Sequence, residues 1–125
     1  MMIHLNLHDP RPMYEQVVDQ MEMLAVRGVL EADSRLPSVR QMAMELSLNP
    51  NTVQKAYSEL LNRGVIYSVR GKGNFVSSDC SRIRQQKLDE IRSAIARLIH
   101  QAHELGATTQ QCNELLQSFM EVAQS

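Results

Sequence analysis

Apolar residues recur at steps of three and four positions in five stretches of the chain, which is the spacing of one buried helix face. The first predicted helix spans about residues 13–27 and ends at Gly28. Two shorter helices follow within residues 38–64, and two more lie near the carboxyl end. Residues 65–69 and 74–76 are instead β-branched and aromatic, which predicts a β-hairpin. The predicted fold is therefore mostly α with a small β element (α+β).

The two short helices carry recognisable start signals. Ser38 and Gln41 have the capping-box spacing, in which two side chains satisfy free backbone amides at a helix start. Arg40 then faces outward in the first turn. Asn49 is predicted to cap the second helix, with Pro50 at its first position, where the missing N–H is no loss. Two such helices joined by a short turn are typical of a helix-turn-helix.

The second short helix divides into an apolar stripe and a polar face. The stripe consists of Val53, Ala56, Tyr57, Leu60 and Leu61, and the polar face of Asn51, Thr52, Gln54, Lys55 and Ser58. Amide and hydroxyl side chains pair with base edges or phosphates, and a helix amino terminus favours a phosphate. The pattern predicts a helix that reads DNA. Helix capping explains Asn49 and Thr52 equally well.

The sequence Arg70-Gly71-Lys72-Gly73 interrupts the predicted hairpin and forms its tip. One interpretation is a solvated turn whose charges protect an edge strand. Because the hairpin directly follows a helix-turn-helix, we interpret it as a wing. Glycine lets the backbone approach a sugar-phosphate chain, and the flanking cations suit the negative potential of a narrow minor groove.

Taken together, these motifs resemble the winged-helix domain of the GntR family of bacterial transcription regulators. The resemblance covers about residues 12–77 and rests on Tyr14-Glu15-Gln16, Leu36-Pro37-Ser38-Val39-Arg40, Asn49-Pro50-Asn51-Thr52-Val53, Ala56-Tyr57, Leu60, Gly64, Ile66 and Arg70-Gly71-Lys72-Gly73-Asn74-Phe75-Val76. The chain is also similar to the family's small YtrA-type branch, in which a two-helix tail replaces a large effector-binding domain. The resemblance implies a sequence-specific transcription regulator, with repression of a small operon, such as one encoding an ABC-type transporter, as the expected activity.

The resemblance also implies which residues contact DNA. Arg40 matches a family arginine that contacts DNA, residues 51, 52 and 54 match the reading positions, and residues 70 and 71 match the wing tip. With their neighbours, the candidate DNA-binding residues are Arg40, Asn49, Asn51, Thr52, Gln54, Lys55, Tyr57, Arg70, Gly71 and Lys72. Pro50 and Gln54 stand where some branches carry arginines, so the base preference of those branches does not transfer to this chain.

Charge is unevenly distributed along a chain whose formal net charge is −1. Residues 1–34 carry a net charge of −4, whereas residues 35–72 carry +4 and include the motif. A locally basic face on a nearly neutral protein gives little indiscriminate attraction to nucleic acid and leaves discrimination to base contacts.

A polar stretch at residues 77–81 marks the predicted boundary between a winged helix-turn-helix domain, residues 1–77, and a helical hairpin, residues 78–125. The hairpin's longer helix is predicted over about residues 82–105, and Thr108 or Thr109 caps the last one. The apolar stripe of the longer helix is wider than one neighbouring helix covers, so we expect a homodimer that binds an inverted-repeat operator. The alternative is that the hairpin of a monomer packs on its own winged domain. The predicted dimer interface consists of Leu88, Ile91, Ile95, Leu98, Ala102, Leu105, Leu115 and Phe119.

Cysteines and histidines offer little further chemistry. Cys80 and Cys112 do not have zinc-cluster spacing, and a redox or metal-sensing role together with His100 and His103 is an alternative that we keep. We expect no metal site, no cofactor and no enzymatic activity, since the chain has no phosphate loop and no paired nucleophile and base.

The remaining expectations concern the amino terminus and the partners. His4 and His8 are predicted to lie on the solvent side of a short amino-terminal strand. Without a signal peptide or a long apolar run, a cytoplasmic location and no membrane partner are expected. Double-stranded DNA is the expected partner, and an unidentified small-molecule effector would bind at the dimer interface or between the tail and the winged domain. The runner-up function is a winged helix that binds protein without reading DNA.

Overall fold

The computed structural model describes residues 3–124. It divides into two compact units, Met1–Gln85 and Gln86–Ser125. The elements confirm the predicted mostly helical fold with one β-hairpin. In chain order they are α1 (Met13–Val26), α2 (Val39–Leu46), α3 (Pro50–Asn62), β1 (Ile66–Val69), β2 (Gly73–Val76), α4 (Cys80–Glu104) and α5 (Thr109–Gln124).

The first unit encloses one apolar core around α3. This helix packs against α1, α2 and β1, and its inner residues Val53, Ala56 and Leu60 are fully buried. Each fully buried large apolar side chain contributes about 1.5–3 kcal/mol. The other large core residues are Val17, Val18, Met21, Met42, Tyr57, Val65 and Val76. Support on three sides fixes α3 and leaves its polar face at the surface.

Both predicted helix starts are confirmed. The Gln41 amide donates to Ser38 Oγ at 3.1 Å, and the Ser38 amide donates to Gln41 Oε1 at 3.0 Å, which completes the capping box of α2. Asn49 Oδ1 accepts a hydrogen bond from the Asn51 amide at 2.8 Å in front of α3. One predicted core residue is misplaced: Leu61 is 37% exposed, because it lies at the edge of the α3 stripe beside Leu60.

The predicted amino-terminal strand is wrong. His4 and His8 lie on irregular backbone, and Leu7 is 83% exposed. The backbone groups of this segment form hydrogen bonds with side chains instead of with a neighbouring strand. The His4 amide donates to Gln20 Oε1 and the Gln20 side-chain amide donates to the His4 carbonyl, while Gln16 makes the same two-way pairing with Asn6. Two glutamines one turn apart on α1 thus take the place of a strand partner.

The hairpin of β1 and β2 is antiparallel and pairs Ile66 with Val76 and Val69 with Gly73. A third extended segment, residues 34–36, lies along β2. The Val76 amide donates to the Ser34 carbonyl, and the Leu36 amide donates to the Asn74 carbonyl, both at 2.9 Å. The chain that leads into α2 therefore also supports the hairpin, which the sequence pattern did not predict.

The helical tail begins earlier than predicted. Helix α4 starts at Cys80, whose side chain is buried in the core of the first unit, and that unit ends within α4, at Gln85. In the second unit, Gly106 ends α4 with φ +93°, and Thr108 forms a capping box with Gln111 at the start of α5. The predicted cap of α5 is confirmed at Thr108.

Candidate nucleic-acid interface

The exposed face of α3 is the centre of the candidate site. Asn51, Gln54, Lys55 and Ser58 are all exposed there, while Thr52 is half-buried. Gln54 Nε2 donates to Ser58 Oγ at 3.4 Å, which aligns two donor groups one turn apart. These side chains offer both hydrogen-bond donors and acceptors, as contacts with base edges require.

The amino end of α3 is open at the surface. Asn49 and Pro50 are both exposed, and the Asn49 side chain is engaged as the cap. Capping fixes the direction in which the first turn of α3 begins. The partial positive charge of a helix amino terminus attracts a phosphate, so this end has an orientation and an electrostatic character that suit DNA.

Tyr57 does not belong to the exposed face, contrary to the sequence-based selection. Its side chain is 1% exposed, and its hydroxyl donates to the Pro37 carbonyl at 2.7 Å. Burial, with a smaller contribution from Glu45, raises the pKa of the Tyr57 phenol well above its ordinary value. The residue joins α3 to the start of α2 and cannot touch a base in this conformation.

Lys55 extends from α3 toward the first turn of α1. Its Nζ lies 4.1 Å from the centroid of the Tyr14 ring, within the range of a cation–π contact. Arg40 is exposed in the first turn of α2, next to the cap formed by Ser38. Two different helices of the helix-turn-helix, α2 and α3, thus each present one exposed cation.

The wing tip is a three-residue turn between the paired residues Val69 and Gly73. Arg70, Gly71 and Lys72 are all exposed, and the Lys72 amide donates to the Val69 carbonyl at 2.9 Å. Gly71 has φ +78°, a conformation that L-residues with a side chain rarely adopt. The turn therefore presents two cations and a bare backbone together at the end of the wing.

Arg35 adds a cation that the sequence-based selection omitted. It forms an antiparallel bridge with Phe75, and its guanidinium lies so close to Gly73 that a Cβ there would meet Arg35 Nε at 3.4 Å. The bridge follows from the third extended segment beside β2. The only signal in the sequence was the position of Arg35 within the basic stretch.

Arg63, although counted in the basic stretch, is occupied by carboxylates. Its Nε donates to Glu59 Oε1 at 3.0 Å and its Nη1 to Glu22 Oε2 at 3.3 Å, with Asp19 at 3.7 Å. The hydrogen bond with Glu59 is the main cause that raises the pKa of Arg63. Arg63 therefore joins α3 to α1. The other cations of the basic stretch lie beside β2, on α2, on the outer face of α3 and on the wing tip.

The sequence model of "Bacterial regulatory proteins, gntR family" matches residues 13–76, which contain α1, the helix-turn-helix and the wing. The chain belongs to the GntR family. Members of this family regulate transcription, and this chain is a DNA-binding transcription regulator. The family expectation from the sequence is confirmed.

Relatives of this GntR-family protein include regulators of nearly the same length. The HTH-type transcriptional repressor YtrA of Bacillus subtilis is 35% identical over 114 residues, 90% of this chain and 88% of that protein. A transcriptional regulator from Oenococcus oeni superposes with a TM-score of 0.75 at 28% identity and covers 93% of this chain and 97% of its own. The likeness thus includes the tail.

Some similar structures contain operator DNA. The DNA-binding domain of AraR, solved in complex with operator ORR3, superposes on 59% of this GntR-family chain and 89% of its own, with a TM-score of 0.52 and 27% identity. That protein binds its operator with a domain of the same fold.

Potential metal ligands are scattered through the described part of the chain. In residues 3–124, no three histidine, cysteine or acidic side chains lie together as a metal site. His100 faces Glu104 at 3.1 Å, and His103 Nδ1 lies 3.0 Å from the Ala107 carbonyl. No described helix is both long and apolar enough to cross a membrane.

Proposed function

We propose that this GntR-family protein is a homodimeric repressor that reads an inverted-repeat operator. The observation that carries the proposal is the exposed, donor-rich face of α3 beside a basic glycine wing tip in one domain. In this proposal α3 enters the major groove and the wing tip enters the adjacent minor groove. The winged domain, residues 1–77, reads DNA, and residues 78–125 hold the dimer together.

The proposed DNA contacts divide into two classes. Asn51 and Gln54 have side-chain amides on the exposed face of α3 and read base edges. The cations supply phosphate contacts, which fix the position of the protein on the duplex without specifying sequence. These cations are Arg35, Arg40, Lys55, Arg70 and Lys72.

The tail supports the dimer because it leaves large apolar side chains uncovered. Leu105 is 89% exposed and Phe119 66%. An apolar groove of about 220 Å³ between α4 and α5 is lined by residues 95–102 and 112–119. Continuous exposed apolar surface of this kind marks an interface. The proposed interface residues Leu88, Ile91, Ile95, Leu98, Leu115 and Phe119 are each at least 43% exposed.

Repression would follow when the bound dimer blocks access of polymerase to a promoter. The relative YtrA is named a transcriptional repressor, which supports this direction of regulation. The sequence resemblance to the YtrA-type branch suggests an ABC-type transporter operon as the target. Because a bacterial operator is reached in the cytoplasm, that is the proposed location. A small-molecule effector would act by changing the spacing of the two reading helices.

Selection of bound sequences from a random duplex library tests the proposal. The purified full chain at near-physiological salt is expected to enrich an inverted repeat. Enrichment of a single half-site would contradict the dimer, and enrichment of nothing would contradict DNA reading and favour a protein-binding winged helix. Binding of the enriched duplex should fall steeply with salt, because phosphate contacts release counterions.

A further inference from the structure

Tyr14 and Lys55 form a contact that the recognition pattern did not predict. Tyr14 lies in the first turn of α1 and is half-buried against the core, whereas Lys55 lies on the exposed face of α3. The ammonium nitrogen is 4.1 Å from the centroid of the Tyr14 ring. The electron-rich face of a tyrosine attracts a cation at this distance by about 0.5–1 kcal/mol at an exposed site.

Helix spacing gives Glu59 two cationic neighbours on α3, Lys55 four residues before it and Arg63 four residues after it. The order with the acidic residue first is the more favourable one, and Glu59 accepts from Arg63 Nε at 3.0 Å. Arg63 therefore neutralises the carboxylate that would otherwise draw the lysine along the helix, and Lys55 rests on an uncharged ring. A cation held by a ring keeps its full charge for a phosphate.

The ring also sets the direction of the lysine. On the helical projection of α3, Lys55 lies between Asn51 and Glu59, with Gln54 on the opposite side of the exposed face. Tyr14 lies on the Glu59 side, since it lines a cleft together with Glu59 and Arg63. The ammonium is thus drawn toward the α1 edge of α3 and away from Gln54. In the proposed docking of α3 in the major groove, a cation at that edge meets the sugar-phosphate chain that borders the groove.

We propose that Tyr14 is a positioning residue that holds Lys55 for a phosphate contact at the α1 edge of the recognition helix. The inference rests on the proposed DNA-binding function and assigns one further residue to it. A free lysine has a long side chain that loses up to about 2 kcal/mol of rotamer entropy when it is fixed. The ring reduces that loss, because the side chain is already ordered before DNA arrives.

A double-mutant cycle on the enriched inverted-repeat duplex tests the inference. Tyr14→Leu is expected to weaken binding about 2- to 5-fold per half-site, the equivalent of about 0.5–1 kcal/mol. The salt slope, which is the slope of log affinity against log salt concentration, should stay unchanged in Tyr14→Leu, because the charge of Lys55 remains. Lys55→Ala should lower the slope by about 0.9 per half-site. In the Lys55→Ala background, Tyr14→Leu should cause no further loss.

Tyr14→Phe is the matched control, since it keeps the ring and removes the hydroxyl that donates to Glu15 at 3.3 Å. It should bind like the unsubstituted chain. Equal reductions in affinity from Tyr14→Leu with and without Lys55 would overturn the positioning role and leave the DNA-binding proposal standing. Failure of the unsubstituted chain to bind any duplex would overturn the proposed function itself.

An NMR measurement on the free chain tests the contact between Tyr14 and Lys55 independently of DNA binding. The ring current of Tyr14 should shift the ε-methylene protons of Lys55 upfield in the NMR spectrum of the free chain. The shift should persist in Tyr14→Phe and disappear in Tyr14→Leu. Unshifted ε-methylene protons in the unsubstituted chain would overturn the inference, whatever the DNA affinity.

Discussion

At the residue scale, the same helix carries side chains with opposite tasks. Tyr57 and Lys55 are two positions apart on α3, yet one is buried with its hydroxyl on the Pro37 carbonyl and the other is exposed. Side chains two positions apart on a helix point about 200° apart around its axis. One of two such residues in a motif therefore faces the core while the other faces outward. Membership of a motif alone therefore does not identify a DNA contact.

Tyr57→Phe should destabilise the winged domain without changing which DNA it selects. Removal of the hydrogen bond to Pro37 is expected to lower the free energy of unfolding by about 1 kcal/mol. Urea unfolding of the two chains at neutral pH measures the difference. A changed sequence preference in the library selection would mean that Tyr57 contacts DNA after all.

The same variant has a predicted pH dependence. The folded pKa of Tyr57 is raised by burial, so its contribution to stability is complete below the unfolded value near pH 10 and is lost as the pH rises above it. The free energy of unfolding should therefore fall on passing from about pH 8 to above pH 10, and fall less in Tyr57→Phe. Identical pH profiles for both chains would contradict the buried, neutral phenol.

Substitutions at the wing tip should affect affinity, whereas substitutions on α3 should affect sequence preference. Arg70→Ala and Lys72→Ala should weaken binding to enriched and random duplexes alike, and each phosphate interaction removed should lower the salt slope by about 0.9. Asn51→Ala and Gln54→Ala should chiefly relax sequence preference. Fluorescence anisotropy titrations at several salt concentrations measure both effects.

Arg63→Gln is the control for charge in this comparison. It removes a cation from the same domain, but one that is engaged by Glu59 and Glu22. Its salt slope should match that of the unsubstituted chain. The roles assigned to the wing tip and to α3 would be refuted if the four alanine substitutions, at residues 51, 54, 70 and 72, all reduced binding to enriched and random duplexes by the same factor.

At the element scale, helix starts serve both folding and recognition. Asn49 holds the first turn of α3 through its bond from the Asn51 amide, and that turn is where a phosphate would meet the helix. Ser38 does the same for α2, which presents Arg40. Short helices depend on such caps, because a helix of a few turns is marginal without them.

Two substitutions of Asn49 separate these tasks. Asn49→Ala should cost about 1 kcal/mol of stability through loss of the cap. Asn49→Asp keeps a good capping residue and should preserve stability, but its negative charge at the helix start should repel phosphate and weaken binding to all duplexes. Thermal unfolding and binding titrations on both variants give the comparison. Undiminished binding by Asn49→Asp would show that this end of α3 lies away from the DNA backbone.

The elements also show where periodicity fails as a guide. Alternation predicted a strand at the amino terminus, but Gln16 and Gln20 supply the hydrogen bonds that a strand partner would have given. Conversely, residues 34–36 lie along β2 although three residues are too few for a pattern. Both outcomes depend on partners distant in sequence, which local spacing does not encode.

At the scale of the whole molecule, the helical tail leaves large apolar side chains exposed. Its apolar residues follow a regular helical spacing, yet most of them face solvent, and the groove between α4 and α5 is unfilled in the second unit. A two-fold partner would cover this surface and pair two reading helices for two half-sites.

Leu98→Asp should therefore split the proposed dimer. Removal of a buried leucine costs about 2–5 kcal/mol, so the dissociation constant of the dimer should rise at least about thirtyfold. Ser93→Asp, which places the same charge on the opposite face of α4, is the control and should leave the dimer intact. Sedimentation velocity measures the oligomeric state. A Leu98→Asp chain that stays dimeric would refute the interface.

The sequence alone determined the helices, their caps and the wing, because each depends on signals within a few residues. Ser38, Asn49 and Thr108 begin helices in the structure as their spacing predicted. The overall GntR-type domain followed from the same local signals in a fixed order, since a long pattern of spacings is specific even where each residue is ambiguous.

Only the tertiary structure decided which side chains of these elements reach the surface and what holds them there. It buried Tyr57, occupied Arg63 with carboxylates, placed Arg35 beside the wing and set Lys55 over the Tyr14 ring. Each of these results joins residues from different elements, which packing brings together only after the chain has folded. A local pattern fixes the backbone, whereas contacts between distant segments fix the exposure and direction of each functional group.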